Sequence, residues 1–259
     1  ALLGLDVADI DGNCRIVQNA LPNNSSAKAA AEIALHDLYA QSLNQPLYMV
    51  LGGGRPHLLT DLTISVNETA IMLTDCESAI ARGFTALKIK VGKDPSGDIE
   101  RLQAIRRSVA GRASLRIDAN QGWTAGQTIA VMTALESEGG PFELVEQPVP
   151  AADIEGMIAV KAAIRTPLLA DESAFNLTQV QQLAERAGAD LINIKLMKTG
   201  GLSQAIAIVD YCQANGLQCL MGCMLEGGIS AAAAVHLAIA RSAVISKIDL
   251  DGPSLGCFN

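Results

Sequence analysis

The stretch LKIKVG, Leu87 to Gly92, alternates apolar and charged residues with a period of two. Side chains of an extended strand point to opposite faces in turn, so Leu87, Ile89 and Val91 share one face while Lys88 and Lys90 share the other. Taken alone, K-x-K is a wet strand edge. Its neighbours change that reading. Short apolar, β-branched runs recur along the chain at LTISV (62–66), ALKIKV (86–91), SLRIDA (114–119), FELVEQ (142–147), PLLADE (167–172), LINIKL (191–196), QCLMGC (218–223) and KIDL (247–250). Between them lie amphipathic stretches such as DIERLQAIRRSVA, TAGQTIAVMTALESEG, LTQVQQLAERAG and LSQAIAIVDYCQANG, several followed by a Gly suited to a left-handed C-cap. Alternation of this kind builds parallel βα units. It predicts an α/β fold, a modified, eight-stranded TIM-type barrel. The rival, an open doubly wound sheet, lacks its usual G-x-G-x-x-G after the first strand.

The barrel is assigned to residues 56–259. Before it, residues 1–55 read as the C-terminal portion of an α+β capping domain, truncated, with a helix from near Ser25 that ends before Asn44-Gln45-Pro46. LGGGRP (51–56) lacks the G-K-[ST] of a phosphate loop and is expected to be a linker turn. DVADIDGN has the look of a calcium loop, but the twelfth position of that frame carries no Glu, and the reading is rejected.

Composition narrows the function classes. With 259 residues, 49% of them hydrophobic, the chain can bury a large core. Its net charge of -8, with no basic cluster, argues against a phosphate-backbone partner. No apolar run reaches the length of a membrane span. The six cysteines, Cys14, Cys76, Cys212, Cys219, Cys223 and Cys257, show no C-x-x-C spacing and sit in apolar company, so reduced thiols and a cytoplasmic protein are expected.

Charged residues collect at the strand ends. Lys90, Asp118, Glu146, Asp171 and Lys195 follow one another at intervals of about 24 to 28 residues, one per βα repeat, and Asp249 ends the eighth strand. In a barrel such positions converge at the C-terminal mouth. A lone Asp there is more often a helix cap or a loop ion pair. Three carboxylates on consecutive strands repel one another unless a cation sits between them, and an all-oxygen set from Asp118, Glu146 and Asp171 suits Mg²⁺, one per chain. Zinc would want His or Cys, and the helical contexts of His36 and His236 favour packing or capping. Lys90 and Lys195, on strands two and six, then flank a substrate held at the metal, and Lys88 adds a positive charge that favours a neutral neighbour. A lysine base near neutral pH needs its pKa brought from about 10.4 to about 7–8. Two opposed bases beside a cation suit removal and return of a proton α to a carboxylate, with inversion at carbon.

LKIKVG, RIDANQGW, LVEQPVP, ADES and INIKLMKTGG together resemble the enolase superfamily, muconate-lactonizing subgroup, over about the last four fifths of the chain. The resemblance implies Asp118, Glu146 and Asp171 as magnesium ligands, Lys90 and Lys195 as the acid/base pair acting through an enediolate, and Lys88 as an accessory lysine near the substrate carboxylate. Asn120 is expected on the face of Asp118, and Glu172 on the opposite one. KIDLDGP is similar to the D-x-D of the dipeptide epimerases of this subgroup, which implies that Asp249 and Asp251 bind a dipeptide's α-ammonium. An Asp-Gly turn is the bland alternative. TISVN and GCML carry the same resemblance, placing Thr63 and the backbone of Cys223, Met224 and Leu225 along the dipeptide.

Two alternatives stand beside this reading. One keeps the chemistry and changes the substrate: N-acylamino acid racemase, o-succinylbenzoate synthase or muconate cycloisomerase. The other is a non-catalytic barrel that binds without turnover. A homo-oligomer is expected on general grounds.

Overall fold

The computed structural model describes residues 2–54 and 57–255. Eight parallel strands lie in one sheet in chain order: β1 (Leu62–Ile64), β2 (Ala86–Lys90), β3 (Ser114–Asp118), β4 (Leu144–Glu146), β5 (Leu168–Ala170), β6 (Leu191–Ile194), β7 (Gln218–Gly222) and β8 (Ile245–Asp249). The helices are α1 (Ile10–Ala20), α2 (Ser25–Ser42), α3 (Leu47–Val50), α4 (Thr69–Ala81), α5 (Pro95–Val109), α6 (Ala125–Gly139), α7 (Ile154–Ala163), α8 (Leu177–Glu185), α9 (Leu196–Thr199), α10 (Leu202–Ala214), α11 (Gly228–Ala240) and α12 (Gly252–Leu255). The architecture is a TIM-type barrel with helices α1 to α3 preceding it. Among the described residues no helix is long and apolar enough to cross a membrane.

Contacts divide the chain into two compact units, one of Ala1–Leu59, Phe175–Leu177 and Asn193–Asn259, the other of Thr60–Ala174 and Thr178–Ile192. In the second unit the period of two holds. Leu87 and Ile89 of β2, Ile117 of β3 and Val145 of β4 are fully buried on the helix-facing side. The opposite face carries the polar row Lys88–Arg116 and, one step on, Lys90–Asp118–Glu146. Arg116 is buried and bonded to Asp61 Oδ2 and Glu143 Oε2, both at 2.7 Å. Local signals set the helices around these strands. Pro95 opens α5 and Ala110 closes it in a left-handed cap, while Thr124 and Gln127 form a capping box at α6.

In the first unit α2 runs from Ser25 to Ser42, and Asn44 takes a left-handed φ of 51° just beyond it. The rejected calcium loop is the start of α1, where Asp9 accepts from Gly12 N at 3.0 Å as an N-cap. Gly52 to Gly54 turn with positive φ; the remaining LGGGRP positions, Arg55 and Pro56, fall outside the described residues, as does Cys257. The five described cysteines are free. His36 and His236 have structural partners: His36 Nδ1 bonds Glu32 O at 2.8 Å, and His236 Nδ1 accepts from Tyr48 N at 3.1 Å.

Glu136 of α6 ties that helix to the entry of β5. Thr166 Oγ1 and Thr166 N donate to its Oε1, both at 2.7 Å, and Arg165 N reaches both oxygens at 3.0 Å. Burial pushes its carboxyl up, but these hydrogen bonds outweigh it and hold the pKa below the ordinary value. Its stabilising contribution is therefore present at neutral pH and is lost as pH falls through the lowered pKa. Glu136→Gln should cost about 1–3 kcal/mol at pH 7 in urea unfolding, with the gap between variant and parent closing under acid conditions.

Candidate active site

Backbone register builds the site before any side chain does. Parallel pairing sets Lys90 opposite Asp118 and Asp118 opposite Glu146, and Thr63 of β1 opposite Lys88. Lys90 Nζ donates to Asp118 Oδ2 at 2.6 Å and to Asn120 Oδ1 at 2.7 Å. Lys88 Nζ lies 3.7 Å from both Asp118 Oδ2 and Glu146 Oε2. The two lysines differ in access: the side chain of Lys88 is 6% exposed and that of Lys90 is 26%. Lys90 is the more accessible of the two.

Glycines let the loops carrying these groups close on each other. Gly92 has φ of +107°, and a Cβ there would strike Ala119 O; a Cβ on Gly122 would strike Gly92 O. Buried Asp98 seals the same junction, accepting from Gly92 N at 2.9 Å and from Trp123 Nε1 at 3.2 Å. The motif residues VG and NQGW are a backbone contact that holds Lys90 beside Asp118.

Asp171 follows β5, and buried Gln147 places it. Gln147 Oε1 accepts from Asp171 N and Ser173 N, both at 3.0 Å, while its Nε2 donates to Ser173 Oγ at 2.7 Å and Val149 O at 3.0 Å. Two expectations based on strand alternation need correction. β3 ends at Asp118, so Asn120 is brought in by a left-handed turn (φ 42°), its N donating to Asp118 Oδ1 at 2.9 Å. β5 ends at Ala170, so Glu172 does not turn away: its Oε1 accepts from Asn120 Nδ2 at 3.4 Å. Burial, then the negative charges of Asp171 and Asp118, push the Glu172 carboxyl up.

The first unit carries the remaining positions. Lys195, buried, follows β6 and caps α9, its carbonyl accepting from Lys198 N and Thr199 N at 2.9 Å. Asp249 ends β8 in register with Gly222, and both Asp249 and Asp251 are buried. Cys223 is half-buried beside them; burial pushes its thiol up to about 12, with Asp249, Asp251 and Glu226 adding to the shift against a hydrogen bond from Gly252 N. Met224 and Leu225 project to the surface.

Comparison with known proteins bears on this geometry. Residues 72–254 match the family Enolase C-terminal domain-like, and residues 1–52 match Mandelate racemase / muconate lactonizing enzyme, N-terminal domain. The chain belongs to the enolase superfamily. A relative named L-Ala-D/L-Glu epimerase from Clostridium acetobutylicum is 47% identical over 98% of this chain and 71% of its own length. The structure of a substrate-liganded L-Ala-D/L-Glu epimerase from Bacillus subtilis superposes with a TM-score of 0.96 at 43% identity, covering 99% of this chain and 72% of that one. The dipeptide epimerase from Enterococcus faecalis, solved with Mg and the dipeptide L-Leu-L-Tyr, superposes at 0.92 with 38% identity, covering 96% and 70%.

Within this superfamily member, the donor set fits a hard divalent cation. Asp118 and Glu146 end β3 and β4 and Asp171 lies one residue beyond β5; all three are buried carboxylates, with Lys88 near the first two and Lys90 bonded to Asp118, and oxygen donors of this kind suit such an ion. Another cluster does not fit one. Donor atoms of Cys14, Glu32 and His36 lie within 4.8 Å of one another. Glu32 is already engaged by Gln18 Nε2, Ser203 Oγ and Ser203 N, and burial, aided by Glu32 and Asp11, pushes the Cys14 thiol up to about 12. It is a packing knot between helices α1, α2 and α10.

The residue that sequence reading passed over is Gln147. Its signal was faint, an uncharged residue after Glu146 and before Pro148, because its partners are backbone groups distant in sequence. Gln147→Ala should weaken Mg²⁺ binding by about 10–100-fold in a calorimetric titration, with the far-ultraviolet spectrum unchanged.

Proposed function

We propose that this chain is a Mg²⁺-dependent dipeptide epimerase, an isomerase that inverts the α-carbon of the C-terminal residue of a dipeptide. The observation that carries the reading is the setting of Lys90, tied to Asp118 and Asn120 at the accessible edge of a buried carboxylate row. Abstraction of a proton α to a carboxylate needs a base within hydrogen-bond reach and positive charge for the oxygens that become negative. Asp118, Glu146 and Asp171 would hold the cation, which when bound supplies charge that stabilises the enediolate.

The chain's own residues do the rest. Lys90 takes or returns the proton on one face of the α-carbon and Lys195 on the other, each alternating between amine and ammonium. Lys88, buried against Asp118 and Glu146, adds a fixed positive charge that steadies the substrate carboxylate. Asp249 and Asp251 receive the α-ammonium, and Thr63, Asn120 and the backbone of Cys223, Met224 and Leu225 line the dipeptide. Residues 1–55 act as part of a capping domain and residues 56–259 as the barrel domain. The free cysteines support a cytoplasmic setting, and closed symmetric assemblies make a homo-oligomer the expected form.

L-Ala-L-Glu incubated with enzyme and Mg²⁺ in D₂O should take up deuterium at the Glu α-carbon and yield L-Ala-D-Glu; no uptake by any of a panel of dipeptides would contradict the proposal. Lys90→Ala should leave exchange with only one of the two epimers. Asp249→Asn with Asp251→Asn should lower kcat/KM for dipeptides by about 100-fold or more. If activity is instead found on N-acylamino acids and survives that double change, the substrate class is the acylated one.

A further inference from the structure

The reach of Lys195 is bounded by residues that its own strand and its neighbour supply. Its backbone is fixed: β6 ends one residue earlier, and the Lys195 carbonyl is held by two amides of α9. Asn193, two residues before and on the same strand face, is fully buried, and Lys198 Nζ donates to its carbonyl at 2.6 Å. With the backbone locked at both ends, only the side-chain torsions remain to set where the Lys195 amine lies.

Across from these residues stands Gly222, at the end of β7. A Cβ on Gly222 would sit 2.5 Å from Asn193 Oδ1, 3.1 Å from Asn193 Nδ2 and 3.1 Å from Lys195 Cε. Its backbone needs no glycine for conformational reasons, since Gly222 is not among the positive-φ positions. The missing side chain is therefore a matter of space. A methyl group would push on a buried amide that has no solvent to move into and on the last carbon before the Lys195 amine.

We propose that Gly222 is a positioning residue for Lys195: the notch left by its absent Cβ admits the Asn193 amide and the Lys195 stem, and so sets the position of the lysine amine. The inference rests on the reading of Lys195 as one of two bases. Proton transfer tolerates little displacement, so a shift of a few tenths of an ångström at Cε is felt in the rate. The effect must be one-sided, because Lys90 belongs to another strand and has its own anchors in Asp118 and Asn120.

The test measures deuterium uptake from D₂O with Mg²⁺, separately for L-Ala-L-Glu and L-Ala-D-Glu, in the parent, Lys195→Ala and Gly222→Ala. Lys195→Ala identifies the epimer whose proton Lys195 removes. Gly222→Ala should slow exchange of that same epimer by about 10-fold, through kcat more than KM, and leave the other within about 3-fold. An equal loss on both epimers, or no loss on either, overturns the positioning role. If Lys195→Ala itself acts equally on both, the two-base reading fails and this inference fails with it. Should Gly222→Ala not fold, Asn193→Ala with Gly222→Ala removes the 2.5 Å contact and keeps the one to Lys195 Cε; measured against Asn193→Ala alone, it should show the same one-sided loss, and a symmetric result overturns the proposal.

Discussion

In-register parallel pairing of β2, β3 and β4 is the constraint on which the site depends. It sets Lys90, Asp118 and Glu146 side by side in one row, a step beyond Lys88 and Arg116. Carboxylates that are nearly fully buried cost several kcal/mol each unless compensated. Two lysines compensate part of this row, and the proposed divalent cation would compensate the rest. Arg116, in the row below, is paired with Asp61 and Glu143.

What surrounds the row keeps it in place. Gly92 and Gly122 let two loops approach as only glycines permit, Asp98 bonds across that junction, and Gln147 binds the backbone on either side of Glu172. At the end of β6 a similar logic applies with different parts. Lys195 is held by the first turn of α9 and Lys198 by Asn193 O. The positions of these lysines and carboxylates are thus set by ladder ends and loop hydrogen bonds, which suits chemistry that tolerates little misplacement.

Legibility in the sequence followed the physics of each element. All eight strands lie at the apolar runs that announce them, because burial on both faces demands β-branched and aliphatic residues there. Seven of them are shorter than those runs imply, while β8 starts two residues before its run. Ala119, Gln147 and Asp171 leave the ladder for the loops that follow. For that reason the rule of alternation correctly places Lys88, Lys90, Asp118 and Glu146 and fails one or two residues later, at Asn120 and Glu172. Charge made the row of Lys90, Asp118 and Glu146 visible, since buried carboxylates at a regular spacing have few structural excuses. Gln147, Asn193 and Gly222 carry no charge, and their partners lie on other strands or loops, so nothing local distinguished them. Family membership supplies what periodicity cannot, the class of reaction, while the named side chains supply the reason this chain is equipped for it.

The central claim is that the row of Asp118 and Glu146, completed by Asp171, is a divalent-cation site flanked by a lysine that is not itself a ligand. Titration with Mn²⁺, read by electron paramagnetic resonance with Mg²⁺ as competitor, tests it directly. The account predicts one Mg²⁺-displaceable site per chain, weakened by about 100-fold or more in Glu146→Gln and no weaker in Lys90→Ala. Binding that is indifferent to Glu146→Gln, or that is lost in Lys90→Ala, would contradict it.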